Sequence, residues 1–205
     1  MATAQSPVAR GPLVELHRQH GATFETVDGW QVATRYPSEP ASHGNALVDI
    51  SHWPTFEVTG RGTGAALSAL CGVDVPPRSI HTSGQRQYYR LTPARAILFG
   101  AGPTSGGLLD VTGGWASLAL FGPQAERILN KVTAVDLREQ TLPQYGCCQG
   151  PIFGVNTLFG RFPGRFELHV CTDSAQFFWE VLMDAGAEFE LHPAGLEFYR
   201  GRVQV

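Results

Sequence analysis

Asp49-Ile50-Ser51-His52 joins two short segments that the sequence predicts as β-strands, residues 48–50 and the alternating stretch Thr55–Thr59. Ser51 lies close to two histidines, His43 and His52, which suggests a nucleophile with its base. No Gly-x-Ser-x-Gly turn surrounds Ser51, however, so serine-hydrolase chemistry is disfavoured. We interpret Ser51 and His52 instead as structural hydrogen-bonding residues that fix a crossing between the two strands.

Upstream of this segment the sequence predicts a short helix and a β-hairpin. Residues 13–20 place Leu13 and Leu16 on one helical face. Asp28-Gly29 lies between two alternating runs, and this dipeptide favours a tight turn with positive φ at both positions. Ser38 predicts the start of a further helix over residues 38–47.

An internal repeat begins directly downstream. Gly60 and Gly122 lie 62 positions apart, and the same offset aligns Val73-Asp74-Val75 with Val135-Asp136-Leu137 and Gly84 with Gly146. Each copy shows the same order of strand, glycine, helix, Val-Asp, glycine loop and strand. This predicts duplicated β-α-β units. Because hairpin signals are frequent, the fold class is α+β with mostly antiparallel sheets.

Composition limits the domain organisation and the partners. The chain has 205 residues, a net charge of −3 and 43% hydrophobic residues. This predicts a flexible leader over residues 1–11 and one domain over residues 12–205, with lobes of about 12–107 and 108–205 joined by a glycine-rich connector at 100–107. The acidic balance argues against nucleic-acid binding. No apolar run is long enough to span a membrane.

The four cysteines form no Cys-x-x-Cys pair, which favours a reduced, cytoplasmic protein. Adjacent Cys147 and Cys148 suggest a redox pair, but half-buried strand positions are the favoured interpretation. His17 and His20 have helical metal-ligand spacing without a third ligand, so no metal is predicted. The glycine-rich residues 60–65 suit a turn before a helix better than a dinucleotide loop.

Three more residues are candidates for binding a ligand. Glu167 lies between Phe166 and Leu168 in a predicted strand, so it is either solvated or buried with hydrogen-bond donors. A ligand with N–H groups, such as a pterin ring, would satisfy a buried carboxylate. Tyr88 and Tyr89 share a strand, so one of them faces inward and either stacks on an aromatic ligand or fills the core.

Several of these motifs together resemble a family of folate enzymes. Gly29-Trp30, His43, Asp49-Ile50-Ser51-His52, Gly60 and Leu120-Phe121-Gly122-Pro123-Gln124-Ala125 occur in the order typical of aminomethyltransferases, the T-protein family of glycine cleavage. The half from Asp110 to Leu191 also resembles the gamma subunit of heterotetrameric sarcosine oxidase. The resemblance implies the aminomethyltransferase folate-binding-domain fold and a tetrahydrofolate site that includes Tyr88, Tyr89, Glu167 and Asp49.

The resemblance also implies a loss of transfer activity. Residues 91–96 carry no acid at the bend where the resemblance leads us to expect the family's catalytic aspartate. We therefore predict no catalytic residue, and a trimmed accessory protein or small subunit of an amine-oxidising or one-carbon system with oxidase-type partner subunits. The alternative is an enzyme that binds tetrahydrofolate and transfers a one-carbon unit, with Asp49 or Asp110 in place of the lost acid.

Overall fold

The structure is a computed structural model that describes residues 8–100 and 108–203. Helices in these ranges are α1 (Val14–Gln19), α2 (Thr63–Cys71), α3 (Ala125–Asn130), α4 (Ala175–Gly186) and α5 (Leu196–Arg200). The first strands are β1 (Ala9–Arg10), β2 (Thr23–Val27), β3 (Trp30–Arg35), β4 (Ala46–Asp49), β5 (Thr55–Thr59), β6 (Ser79–Ser83) and β7 (Arg86–Thr92). The remaining strands are β8 (Arg95–Phe99), β9 (Leu109–Asp110), β10 (Trp115–Phe121), β11 (Cys147–Ile152), β12 (Val155–Phe162), β13 (Arg165–Cys171) and β14 (His192–Ala194).

The strands of the described ranges form three sheets. The largest has the order β11-β12-β13-β10-β4-β14, the second β6-β7-β8-β5-β9, and a small third sheet β1-β3-β2. The pairs β1·β3 and β14·β4 are parallel, whereas the other strand pairs are antiparallel. The predicted α+β class with mostly antiparallel sheets is confirmed.

The predicted duplication is visible in the sheet topology. The series β5, α2, β6, β7, β8 and the series β10, α3, β11, β12, β13 have the same order, and the last strand of each pairs with the first. Gly60 and Gly122 precede the two helices with φ of 105° and 113°, a conformation that favours glycine. Each unit is thus a strand, a helix and a three-stranded meander, a longer version of the predicted β-α-β unit.

The offset of 62 residues holds only for the first half of each copy. The connection between α3 and β11, residues 131–146, is longer than that between α2 and β6, residues 72–78. The structural counterpart of the turn at residues 84–85 is therefore the turn Phe153-Gly154, in which both residues have positive φ. Gly146 was wrongly matched to Gly84, and it instead forms a bridge with Ser79 that joins the two units.

Strands pair with one another across the predicted boundary between the lobes. Strand β4 from the first lobe pairs with β10 of the second, and β9 from the second pairs with β5 of the first. Residues 101–107, most of the predicted connector, lie outside the described residues. Of the predicted leader, residues 1–7 also lie outside them, while β1 pairs with β3.

Helix α1 and the Asp28-Gly29 hairpin are confirmed, with φ of 50° and 81° at the two turn residues. The predicted helix over 38–47 is wrong. Pro40 and Gly44 disfavour it, and the Glu39 carboxylate instead accepts hydrogen bonds from the backbone N–H groups of Tyr36 and Gly195. This segment is a loop that ends at β4.

The sequence predicts a helix over residues 175–185 whose apolar stripe comprises Phe177, Phe178, Val181, Leu182 and Ala185. Helix α4 covers this range, but its apolar stripe is displaced. Its buried residues are Ala175, Phe178, Trp179, Leu182, Ala185 and Gly186. Phe177, which we assigned to the stripe, is 49% exposed. The spacing i, i+3, i+4, i+7 through Ala175 and Trp179 fits one helical face better than the adjacent pair Phe177-Phe178. The stripe packs on one face of the six-stranded sheet in the main hydrophobic cluster.

Candidate functional site

A cavity of about 770 Å³ opens among the β6–β7 turn, the β12–β13 turn, the segment after β4 and helix α5. This volume lies in the range of small-molecule sites. The described residues that line it are Val27, Asp28, His52, Trp53, Pro54, Thr82, Gly84, Gln85, Gln87, Gly100, Tyr145, Phe162, Pro163, Arg165, Leu196, Tyr199, Arg200, Arg202 and Val203. Both lobes contribute to its wall.

Alternation along β13 places three polar side chains on the face opposite the main core. Phe166, Leu168 and Val170 belong to the main hydrophobic cluster. Because successive strand residues face opposite sides, Arg165, Glu167 and His169 point toward the five-stranded sheet of the first unit. All three are buried. The ring of His169 stacks on Phe99 of that sheet at 3.8 Å between centroids.

Glu167 is held entirely by donors from the protein. Oε1 accepts hydrogen bonds from Gln87 Nε2 at 3.1 Å, Arg165 Nε at 2.8 Å and Tyr199 Oη at 2.9 Å. Oε2 accepts one from Tyr89 Oη at 3.4 Å. Burial of a carboxylate is tolerated here because a guanidinium and three further donors surround it. Glu167 itself does not line the cavity, but Gln87, Arg165 and Tyr199 do.

The hydrogen-bond directions around His169 follow from the carboxylate. Burial raises the pKa of Tyr89 well above its ordinary value, so its hydroxyl keeps its proton and donates it to Glu167. Tyr89 Oη therefore accepts from His169 Nε2 at 3.2 Å. Burial lowers the pKa of His169 to about 3, so the ring is neutral and its Nδ1 accepts from the Ser117 hydroxyl at 2.8 Å.

A second buried group lies at the other end of this network. The Ser117 N–H donates to Ser51 Oγ at 3.0 Å, and Ser51 donates to Asp49 Oδ1. Asp49 Oδ2 contacts His17 Nε2 at 2.9 Å, and His17 Nδ1 contacts Tyr36 Oη at 2.6 Å. Burial alone would raise the pKa of Asp49, but the hydrogen bonds from His17 and Ser51 hold it below its ordinary value. The network thus runs continuously from α1 to the cavity wall.

The four residues that we predicted to bind a ligand do not lie together in the structure. Tyr89 and Glu167 are in direct contact next to the cavity. Asp49 lies at the far end of the buried network, beside a much smaller cavity. Tyr88 faces the opposite side of β7, where it packs with Val58 and Leu98. None of the four lines the main cavity, so binding by them stays a prediction.

Several wall residues were missed by the sequence analysis. Gln87 and Arg165 each lie two residues before a residue that we singled out, and strand alternation places them on the same face. That signal was available from the sequence. Tyr199 and Arg200 gave no local signal, because helix α5 reaches the cavity only through the fold. Ser51 forms structural hydrogen bonds as predicted, whereas Nδ1 of His52 is buried without a partner among the described residues.

The cavity wall combines polar and apolar side chains and carries an excess of positive charge. Arg200 and Arg202 line it beside Arg165, whose charge is paired with Glu167, whereas Asp28 is its one acid among the described residues and is exposed. Burial lowers the pKa of His52 to about 4, so its ring is neutral. Such a wall favours a ligand that combines an acidic group with a planar ring.

The bend at residues 91–96 does not line the cavity. It joins β7 and β8 at the end of the sheet that lies away from the cavity. Gly84, Gln85 and Gln87 lie at the end that faces the cavity. The composition of this bend therefore says nothing about the chemistry of the cavity. The glycine-rich residues 60–65 also lie elsewhere, where a Cβ built on Gly64 would fall 2.8 Å from Nη2 of Arg90.

The described residues contain no group of three His, Cys, Asp or Glu side chains arranged to hold a metal ion. The Nε2 atom of His17 contacts Asp49, and its Nδ1 atom contacts Tyr36. Within the same described ranges, none of the helices is long and apolar enough to cross a bilayer.

Comparison with known proteins gives a consistent class. The family model of the GCVT N-terminal domain matches residues 101–201. An aminomethyltransferase of Saccharopolyspora erythraea is 28% identical over 90% of this chain and 60% of its own length. The aminomethyltransferase of Streptomyces avermitilis is 30% identical over 88% of this chain and 58% of its own length. The chain is therefore aminomethyltransferase-like, and it spans about 60% of the length of these curated relatives.

Solved structures agree in fold. Glycine cleavage system aminomethyltransferase T of Bartonella henselae superimposes with a TM-score of 0.74 at 20% identity, over 93% of this chain and 60% of that one. A chain of heterotetrameric sarcosine oxidase from Corynebacterium sp. U-96 superimposes with a TM-score of 0.67 at 17% identity, over 88% of this chain and 95% of that one. The predicted aminomethyltransferase fold is confirmed.

Proposed function

We propose that this chain binds a reduced folate in the cavity and does not itself transfer an aminomethyl group. The observation that carries this proposal is the cavity wall, in which Arg165 and Tyr199 contact Glu167 and the ring of Trp53 lies beside Tyr199 at 5.5 Å between centroids. A pterin ring offers a planar face for the aromatic residues and N–H donors for the polar ones. Its glutamate tail offers carboxylates for Arg200 and Arg202.

The absence of transfer is proposed from the acids of the wall. Proton transfer in a cavity needs a positioned acid or base within hydrogen-bond reach of the reacting group. Among the described lining residues the one carboxylate is that of Asp28, which lies in an exposed turn, and the His52 ring is a weak base because burial lowers its pKa to about 4. Glu167 is already paired with four donors and is sealed from the cavity. When bound, tetrahydrofolate supplies the one-carbon-carrying group, and this chain supplies its binding.

Titration calorimetry with tetrahydrofolate under reducing conditions tests the proposal. We expect binding in the micromolar range that weakens with added salt and weakens further in Arg200→Gln. Arg138→Gln is the matched control, because Arg138 pairs with Asp136 on the surface and does not line the cavity. No heat from the folded wild-type chain at millimolar ligand overturns folate binding.

A turnover assay tests the second half of the proposal. The folded chain is incubated with tetrahydrofolate and an aminomethylated carrier protein, and methylenetetrahydrofolate is measured. We expect no product above the protein-free background. Product formation would favour the alternative, a folate enzyme that transfers the one-carbon unit itself.

We further propose that the chain acts as an accessory protein or small subunit. In support, it matches one chain of a heterotetrameric oxidase over 95% of that chain's length. The four cysteines are unpaired, which suits a reducing, cytoplasmic location. Co-expression with any amine-oxidising or glycine-cleavage gene that is found beside its own gene should yield a stable complex. Purification of a lone monomer from that co-expression counts against this role.

A further inference from the structure

Strands β4 and β9 occupy equivalent places in the two duplicated units. Asp49 of β4 pairs with Leu118 of β10, and Asp110 of β9 pairs with Phe56 of β5, which lies 62 positions before Leu118. Each aspartate accepts a hydrogen bond at Oδ1 from the backbone N–H two residues later, at 2.9 Å in both cases. The duplication therefore extends to this strand and its turn, and the surroundings of the two units can be compared residue by residue.

In the second unit, helices α1 and α4 cover the strand and helix α3. His17 of α1 contacts Oδ2 of Asp49 at 2.9 Å, and its ring lies against Trp179 of α4 at 5.0 Å between centroids. Lys131, directly after α3, donates a hydrogen bond to the backbone carbonyl of Ala185 in α4 at 2.9 Å. The apolar residues that pack with these helices in the main cluster are at most 7% exposed and include Leu47, Leu118, Ile128 and Val132.

The equivalent face of the first unit is open. Strand β13 leads into α4, whereas its counterpart β8 is followed by β9 as the next described element. The counterparts of the four buried residues are half-buried, and we call them the α2 face: Leu108, Phe56, Ala66 and Leu70. Among the described residues, the helical members of their cluster all belong to α2, which carries no charged residue. An apolar surface that one unit covers is thus uncovered in the other.

Asp110, at the border of the α2 face, has no cationic partner among the described residues. Its carboxylate contacts Thr112, and the side chain is exposed. A helix docked on the α2 face would bury this carboxylate, and a buried carboxylate needs a cation beside it. Residues 1–7, 101–107 and 204–205 contain no Lys, Arg or His. The cationic side chain would therefore come from another molecule.

We infer that the α2 face docks a helix of a partner subunit, and that this helix brings a cationic side chain to Asp110. The inference rests on the small-subunit role proposed above, which supplies the partner. The second unit indicates the chemistry of the docked helix, namely an apolar stripe like that of α4 and a cation in the place of His17. A second copy of this chain fits less well, because its own α1 and α4 are already packed in its second unit.

Recovery of the complex from the organism that makes the chain tests the inference. The full chain with an affinity tag replaces the natural copy, and the protein that purifies with it is identified by mass spectrometry. That protein is then purified and titrated with each variant. We expect Ala69→Arg to weaken binding about 100-fold, because it adds an unpaired charge at the exposed α2 position equivalent to Lys131, where α3 meets α4.

Asp110→Asn tests the cation separately. We expect it to weaken binding about 10- to 100-fold, because the partner's cation then lies at the interface without its counter-charge. Gln176→Arg is the control, since it places the same side chain at an exposed position on α4, away from the α2 face. Circular dichroism of each variant establishes that it is folded.

Each outcome decides the inference. A complex of equal affinity with the wild-type chain, Ala69→Arg and Asp110→Asn overturns docking on the α2 face and leaves the small-subunit role intact. Weakening by Ala69→Arg alone supports the docking site and overturns the cation for Asp110. A wild-type chain that purifies without any partner overturns both the role and the inference. A dimer of the chain itself that Ala69→Arg separates into monomers identifies a second copy as the occupant and overturns the partner helix.

Discussion

The hydroxyl of Tyr89 occupies the space in which a side chain at position 160 would lie. A Cβ built on Gly160 falls 2.4 Å from Tyr89 Oη and 2.7 Å from its Cε1. Tyr89 belongs to β7 of the first unit and Gly160 to β12 of the second. The absence of a side chain at 160 therefore allows the two duplicated units to approach closely, and it places Tyr89 beside Glu167.

Gly160→Ala should destabilise the protein by about 1–3 kcal/mol, because overpacking in a close-packed core displaces neighbouring side chains. The displaced ring of Tyr89 should also lose its contacts with Glu167 and His169. Urea denaturation measures the change in the free energy of unfolding. Gly62→Ala is the control, since Gly62 has φ of −87° and open space around its Cβ position. Equal stability of the two variants would contradict this account.

Glu167→Gln should lower the free energy of unfolding by about 3 kcal/mol or more, because it leaves the buried Arg165 guanidinium without its counter-charge. The substitution keeps the size of the side chain, so packing changes little. Asp136→Asn is the matched control at the exposed pair with Arg138, where solvent screens the charges and the expected loss is much smaller. A loss at position 167 as small as that of the control would argue against a buried ion pair.

Stability should fall as the pH is lowered from about 6.5 to 4. Burial lowers the pKa of His169 to about 3 and that of His52 to about 4, whereas the unfolded chain titrates near 6.5. In this window the unfolded state binds more protons than the folded state, so acid favours unfolding. Each histidine contributes a slope of about 1.4 kcal/mol per pH unit.

Thermal or urea unfolding at a series of pH values measures the slope. His169→Phe keeps a ring against Phe99 and removes one of the two titrating groups. The slope, rather than the stability itself, should drop by about half. A wild-type stability that is constant between pH 6.5 and 4 would show that the two rings are protonated in the folded state.

Local signals predicted local structure well and distant contacts poorly. The Asp28-Gly29 turn and helix α4 were predictable because turn chemistry and apolar spacing act within a few residues. The helix over 38–47 was mispredicted: Pro40 and Gly44 disfavour it locally, and the hydrogen bond from Gly195 to Glu39 that holds the loop spans 156 positions. Tertiary hydrogen bonds of this kind leave no periodic trace in the sequence.

The candidate site shows the same division. The apolar neighbours of Glu167 predicted a strand residue that is either solvated or buried, and in the structure it is buried. Its donors Gln87 and Tyr199 come from β7 and α5, so only the fold brings them to the carboxylate. The repeat predicted the duplicated topology. Because the connection at 131–146 is longer than its counterpart, however, one offset does not align the strands that follow it.

The adjacent cysteines should be unreactive in the folded protein. Burial and, to a smaller extent, the neighbouring Cys148 thiol raise the pKa of Cys147 to about 12. Burial also raises the pKa of Cys148. Since the thiolate is the reactive form, both should be modified far more slowly than the exposed Cys171. Reaction with a chromogenic disulfide at pH 8 should show a fast phase that Cys171→Ser reduces by one thiol. All four should react in guanidinium chloride, and rapid formation of a Cys147–Cys148 disulfide in the folded chain would support the redox interpretation instead.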